Sequence, residues 1–191
     1  MEVEETVKKY ERTGKYTYAD YASWDDGNRY ELIDGAAYMM SAPIVAHQRI
    51  SRELLRQIAN FLAGKQCEVF NAPFDVCLNA RGDSDDTVVQ PDLLVICDSS
   101  KLDKKRCNGA PDMIIEIVSP SSSKHDRFIK LNKYLKAGVR EYWIVDPDDN
   151  ILNAHVLENG KYVISVHGSE DTVSVHVLEG CEINLPDVFA D

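Results

Sequence analysis

Two strongly apolar stretches, VVQPDLLVI at 88–96 and MIIEIV at 113–118, each carry a single carboxylate, Asp92 and Glu116. An ionised side chain is costly to bury unless a cation or hydrogen bonds compensate it. Around Glu116 the neighbours Met113, Ile114, Ile115, Ile117 and Val118 leave no polar face, so the run reads as a central strand covered on both sides. A shared divalent cation is the economical way to hold two such acids together, because hard cations such as Mg²⁺ take oxygen ligands and a few carboxylates.

The chain has 191 residues and 44% hydrophobic content, enough for one domain with a sizeable core. No run approaches the roughly 18 to 20 apolar residues of a membrane span. The N-terminal MEVEETVKKY is acidic rather than signal-like, so a soluble, cytoplasmic protein with no membrane partner is expected. Five cysteines at 67, 77, 97, 107 and 181 contain no CxxC pair and read as reduced, mostly structural thiols. A zinc site is not expected. The net charge of -11 argues against generic polyanion binding. Between Asp98 and Arg140, however, ten basic residues face five acidic ones, a local +5 beside the two carboxylates, leaving -16 elsewhere. A solvated, lysine-rich helix face would produce the same count.

In chain order, residues 1–28 form a polar N-terminal extension in which Tyr16, Tyr21 and Trp24 are expected to drape over the body, a single domain spanning 29–191. Residues 29–33 and 36–40 flank Asp34-Gly35, a hairpin signal, and Glu31 lies on its first strand. Helical spacing of His47, Ile50, Leu54, Ile58, Phe61 and Leu62 predicts an amphipathic helix over 44–62 with His47 in its first turn. Residues 68–78 and 88–97 read as two strands separated by the solvated turn 79–86. A basic loop over 99–109 precedes the Glu116 strand. Ser123 and Asp126 resemble a capping box opening a helix over 124–137, with Phe128, Leu131 and Leu135 as its buried stripe and Asp126, Lys130 and Tyr134 along the flank. A strand at 141–145, a hairpin over 151–157 and 162–166 about Asn159-Gly160, and β segments at 173–177 and 181–185 complete the chain. The order predicts an α/β fold: a mixed central sheet flanked by helices, with additional hairpins at both ends.

The stretches YELIDG, AHQRI, QPDLLV, IIEIVSPSSSKHDRFIKLNKY and GVREYWIVDP, in this order over 29–186, resemble the PD-(D/E)XK nuclease superfamily. Within it the chain is most similar to the Uma-type restriction endonuclease family. The resemblance implies a restriction-endonuclease-like core and a metal-dependent endonuclease acting on DNA. It implies Asp92 and Glu116 as metal-binding acids for Mg²⁺ or Mn²⁺, the Ile117 backbone carbonyl as a further ligand, and Glu31 as an additional catalytic acid. The signature lysine is replaced by Val118, and Lys130 on the following helix is the matching position, with Lys124 as the alternative. His47, Gln90, Asp126 and Tyr134 are expected to support the site. A homodimer is the expected protein partner. Structural readings compete at each position: Asp92 as a turn residue after Pro91, Glu31 as a cross-strand partner, His47 as a packed histidine, Asp126 as a cap and Tyr134 as core. A catalytically idle, protein-binding member of the family is the rival function.

Overall fold

The computed structural model describes residues 14–118 and 125–190, with the backbone alone described at 125–127. Asp126 therefore has no described side chain, and Ser123 and Lys124 lie outside the described residues. The frame is a six-stranded sheet ordered β11-β10-β9-β8-β6-β3, built from β3 (Glu68–Asn71), β6 (Leu93–Ile96), β8 (Met113–Ile117), β9 (Glu141–Asp146), β10 (Ile151–Glu158) and β11 (Lys161–Gly168). The β8–β9 pair is parallel and its other neighbours are antiparallel, so the sheet is mixed. A five-stranded sheet, ordered β2-β1-β5-β4-β7, comprises β1 (Tyr30–Ile33), β2 (Ala36–Met39), β4 (Asp75–Cys77), β5 (Val88–Val89) and β7 (Arg106–Asn108).

Alternation along the strands assigns the two faces of the larger sheet. Met113, Ile115 and Ile117 pack against Ile50, Leu54, Ile58 and Leu62 of helix α2 (Val45–Leu62). The C-terminal segment joins this layer through Val173 of β12 (Thr172–Ser174), Ile183 of β13 (Glu182–Asn184) and Val188 of α4 (Leu185–Val188). Ile114 and Val118 face the opposite layer, with Tyr134 of α3 (Leu131–Ala137) and Val76 and Val89 of the smaller sheet. The outer face of the smaller sheet is covered by Tyr16, Tyr21 and Trp24, the last two flanking the short helix α1 (Tyr18–Tyr21) at its end and beyond it. Gly35, at φ 80°, and Asp34, at φ 51°, form the tight turn between β1 and β2, as the Asp-Gly dipeptide predicts.

The two long strands expected over 68–78 and 88–97 are each broken at the same level. Their first and second halves belong to different sheets, so β3 and β6 pair in one while β4 and β5 pair in the other. Pro73 and Pro91 lie in the breaks, where neither can donate to a ladder. Between the pairs Asn71–Leu93 and Val76–Val89, residues 72–75 stand opposite residues 90–92, a bulge of one residue. The interval 79–86 is also less solvated than expected: Asp85 is fully buried and accepts hydrogen bonds from the backbone N–H groups of Asn79, Arg81 and Thr87.

The helix expected over 124–137 begins as a π-helix over His125–Lys130 and continues as α3. The wider π turn shifts the register of the inward face. Lys130 and Tyr134 are buried, whereas Phe128 of the predicted stripe is 64% exposed. Phe128→Ser is accordingly expected to change the urea unfolding free energy by no more than about 0.5 kcal/mol, whereas a core position would cost several times that. The cysteines depart from expectation too. Cys67 and Cys97 stand at the next cross-strand position beyond Glu68–Ile96 and form a disulfide. Cys77, Cys107 and Cys181 are free and buried, and burial pushes the Cys77 and Cys107 thiols up to about 12. No helix among the described residues is long and apolar enough to cross a membrane.

Candidate active site

The strand breaks create the site. Antiparallel pairing places Leu93 opposite Ile115, and one step further along β6 and β8 sets Asp92 against Glu116. The two acids thus come from adjacent strands, at the point where β6 leaves the larger sheet. Asp92 Oδ2 accepts the Ile117 backbone N–H at 2.8 Å. The N–H and C=O of one extended residue lie on the same strand edge, so the Ile117 carbonyl is directed along the edge that carries Asp92. Oδ2 also meets His47 Nε2 at 3.1 Å, from the first turn of α2. An ionised carboxylate only accepts, so Nε2 is the donor of this pair. Nδ1 is buried and has no hydrogen-bond partner among the described residues. Oδ1 of Asp92 accepts no hydrogen bond from them either.

Glu116 lies on the α3 face of β8 and is 4% exposed. Its Oε1 accepts hydrogen bonds from Lys130 Nζ at 3.0 Å and from the Tyr134 hydroxyl at 2.7 Å. The same ammonium stands 2.9 Å from Glu31 Oε2. Glu31 reaches in from β1 of the smaller sheet, and its Oε1 accepts the Gln90 backbone N–H at 2.8 Å. One buried cation therefore bridges two buried carboxylates from different sheets, and neutral donors occupy Oε1 of each. Burial, reinforced by the charges of Glu116 and Glu31, raises the Tyr134 hydroxyl well above its ordinary value, so it stays protonated and donates.

The structure thus gathers Asp92, Glu116, Glu31, Lys130, Tyr134, His47, Gln90 and the Ile117 carbonyl at the junction of the two sheets. Val118 is buried in the core beside Tyr134, leaving β8 without a lysine there. The basic strip between 98 and 140 is less available than its count implied. Arg106 pairs with Asp83 and Asp103, Arg140 with Asp112, Lys133 with Asp34, and Lys130 with the two glutamates. Sequence reading missed a second ring around Gln90. Arg29 Nε and Nη2 donate to Gln90 Oε1 at 3.0 and 2.7 Å, while Gln90 Nε2 donates to Tyr21 and Asp75. The available signal was the two-residue spacing of Arg29 and Glu31 at the start of β1, which puts them on one side of extended chain.

Among the described residues no three His, Cys, Asp or Glu side chains are grouped to hold a metal ion. Two carboxylates and a carbonyl make an all-oxygen set that suits Mg²⁺, which keeps several waters, and not zinc, which takes nitrogen and sulfur ligands.

Residues 18–186 match the model of the Uma2 family, described as “Putative restriction endonuclease”. The chain belongs to the Uma2 family. The matched span contains all the site residues named above. This Uma2 chain is 24% identical over 166 residues to the uncharacterized protein slr1290 of Synechocystis, covering 84% of this chain and 85% of that one. It shares its fold, at a TM-score of 0.72 and 20% identity, with a crystal structure from Anabaena variabilis described as a “putative nuclease”, over 91% of this chain and 97% of the other.

Proposed function

We propose that this Uma2 protein is an endonuclease that hydrolyses phosphodiester bonds of DNA with Mg²⁺ or Mn²⁺ held by Asp92, Glu116 and the Ile117 carbonyl. The observation that carries this reading is that Asp92 and Glu116 stand one step beyond the Leu93–Ile115 pair on adjacent strands, with a buried lysine on Glu116. When bound, the cation acidifies a coordinated water and polarises the phosphoryl oxygen. The chain's own groups prepare the place. His47 and the Ile117 N–H fix one oxygen of Asp92, which leaves Oδ1 for a ligand. Lys130 and Tyr134 hold Glu116, and Lys130 would offset the negative charge that develops on the phosphate. Glu31 anchors Lys130 from the other sheet.

A plasmid and a single-stranded DNA are incubated with the protein and Mg²⁺ or Mn²⁺, with EDTA and Glu116→Gln as controls. The reading expects cleavage that depends on the metal and disappears in both controls. Cleavage that persists in Glu116→Gln would remove Glu116 from the reaction. A second reading, a protein-binding module on an idle nuclease fold, is favoured by the burial of Val118 and by the engagement of Lys130 with two carboxylates. Under it, isothermal titration finds no Mg²⁺ or Mn²⁺ binding that depends on Asp92 and Glu116, and no cleavage appears.

A further inference from the structure

Arg29 is a partly buried guanidinium with no anionic partner among the described residues. The other described arginine that is withheld from full exposure, Arg106, pairs with Asp83 at 2.8 Å and Asp103 at 3.2 Å. Arg29 instead rests two of its nitrogens on the neutral carboxamide oxygen of Gln90. The direction of that carboxamide is set from behind: its NH₂ group is taken up by the Tyr21 hydroxyl and by Asp75 Oδ1, both at 2.8 Å, which turns the oxygen towards Arg29. Tyr21 itself donates to the same Asp75 oxygen at 2.8 Å. Arg29 Nη1 has no partner among the described residues and is not sealed from solvent. A neutral acceptor orients the fork without cancelling its charge, and a side chain held in this way gives up little conformational freedom on binding an anion.

Position matters as much as charge. Arg29 immediately precedes β1 and stands two residues before Glu31, about 7 Å along extended chain. Gln90 touches both, through its side chain at Arg29 and its backbone N–H at Glu31, and Asp92 follows two residues later. We infer that Arg29 is a phosphate anchor: its free guanidinium edge binds a backbone phosphate of the DNA strand that flanks the scissile one, in the fork geometry that suits phosphate oxygens. This inference rests on the nuclease reading and names a substrate contact within it. It also gives the -11 chain a local positive group at the site, while four of the strip's ten basic residues, Arg106, Lys130, Lys133 and Arg140, are held by acids.

The test measures the affinity of a short fluorescein-labelled DNA duplex by anisotropy, with Ca²⁺ replacing Mg²⁺, over a series of salt concentrations. Native protein is compared with Arg29→Gln, Arg29→Lys and a charge control, Lys161→Gln, on the exposed β10–β11 hairpin. Arg29→Gln is expected to weaken binding about tenfold or more and to lower the log–log salt slope by about one, as loss of one phosphate contact does. Arg29→Lys is expected to restore the slope but only part of the affinity, because an ammonium lacks the fork. Lys161→Gln should leave both unchanged. If Arg29 merely braced Gln90, the salt slope of Arg29→Gln would equal that of native protein, and that result overturns the inference. DNA bound and cleaved by native and Arg29→Gln protein alike refutes the anchor and leaves the nuclease reading standing. A native protein that neither binds nor cleaves DNA refutes both.

Discussion

Lys130→Met is expected to destabilise the protein by about 3–5 kcal/mol, the usual consequence of removing one member of a buried ion pair. For a chain of this size that corresponds to a fall in Tm of about 6–20 °C. The size of the effect follows from what remains. Glu31 and Glu116 are 3% and 4% exposed, and without the ammonium two carboxylates face one site with only the Gln90 N–H, the Tyr134 hydroxyl and their other local contacts to compensate them. Methionine fills most of the lysine volume, so a cavity contributes little. The second substitution Glu31→Gln, made on the Lys130→Met background, should recover about 1–3 kcal/mol, because it removes half of the uncompensated charge. Urea unfolding of the four proteins in this cycle checks both numbers. Additive losses, with no recovery in the double variant, would mean that Lys130 does not couple the two glutamates.

Asp92→Asn separates function from folding. The amide oxygen, placed where Oδ2 stands, can accept from both the Ile117 N–H and His47 Nε2, so the local hydrogen bonds survive while an NH₂ replaces Oδ1. A stability loss of only about 1–2 kcal/mol is expected from the altered pairing. Metal-dependent cleavage is expected to fall about 10²–10³-fold, the several kcal/mol that a well-placed cation contributes to the transition state. Titration of Mn²⁺ by electron paramagnetic resonance provides a readout independent of turnover, and the variant should bind Mn²⁺ more weakly than native protein. A folded Asp92→Asn that binds Mn²⁺ and cleaves DNA as native protein does would exclude Asp92 as a ligand.

The acids were legible because burial makes them anomalous: a carboxylate inside MIIEIV or behind VVQP has few inexpensive explanations. The first hairpin, the α2 stripe and the β8–β9 strands were legible for the related reason that Asp-Gly and the 3.6- and 2-residue periods are local properties. Three features were not. Apolar runs at 68–78 and 88–97 remain apolar across a break between two buried sheets, so hydrophobicity continues where pairing does not. The π turn before α3 alters which side chains point inward without altering their identity, which is why Phe128 looked like core and Lys130 like flank. The Cys67–Cys97 bond depends on β3 and β6 being neighbours, a tertiary fact that cysteine spacing does not encode. The same limit hid Arg29, whose significance lies in a glutamine 61 residues away.

The seam between the sheets also acts as a ruler measured in residues. Val89 ends one sheet's pairing and Leu93 opens the other's, with only Gln90, Pro91 and Asp92 between them. Side chains alternate at every step along an extended chain, so lengthening this bridge by a single residue would turn the carboxylate away from Glu116. Insertions and deletions at this bridge should therefore abolish the site even where both sheets still assemble, while the outer turns at 147–150 and 159–160 remain free to vary in length.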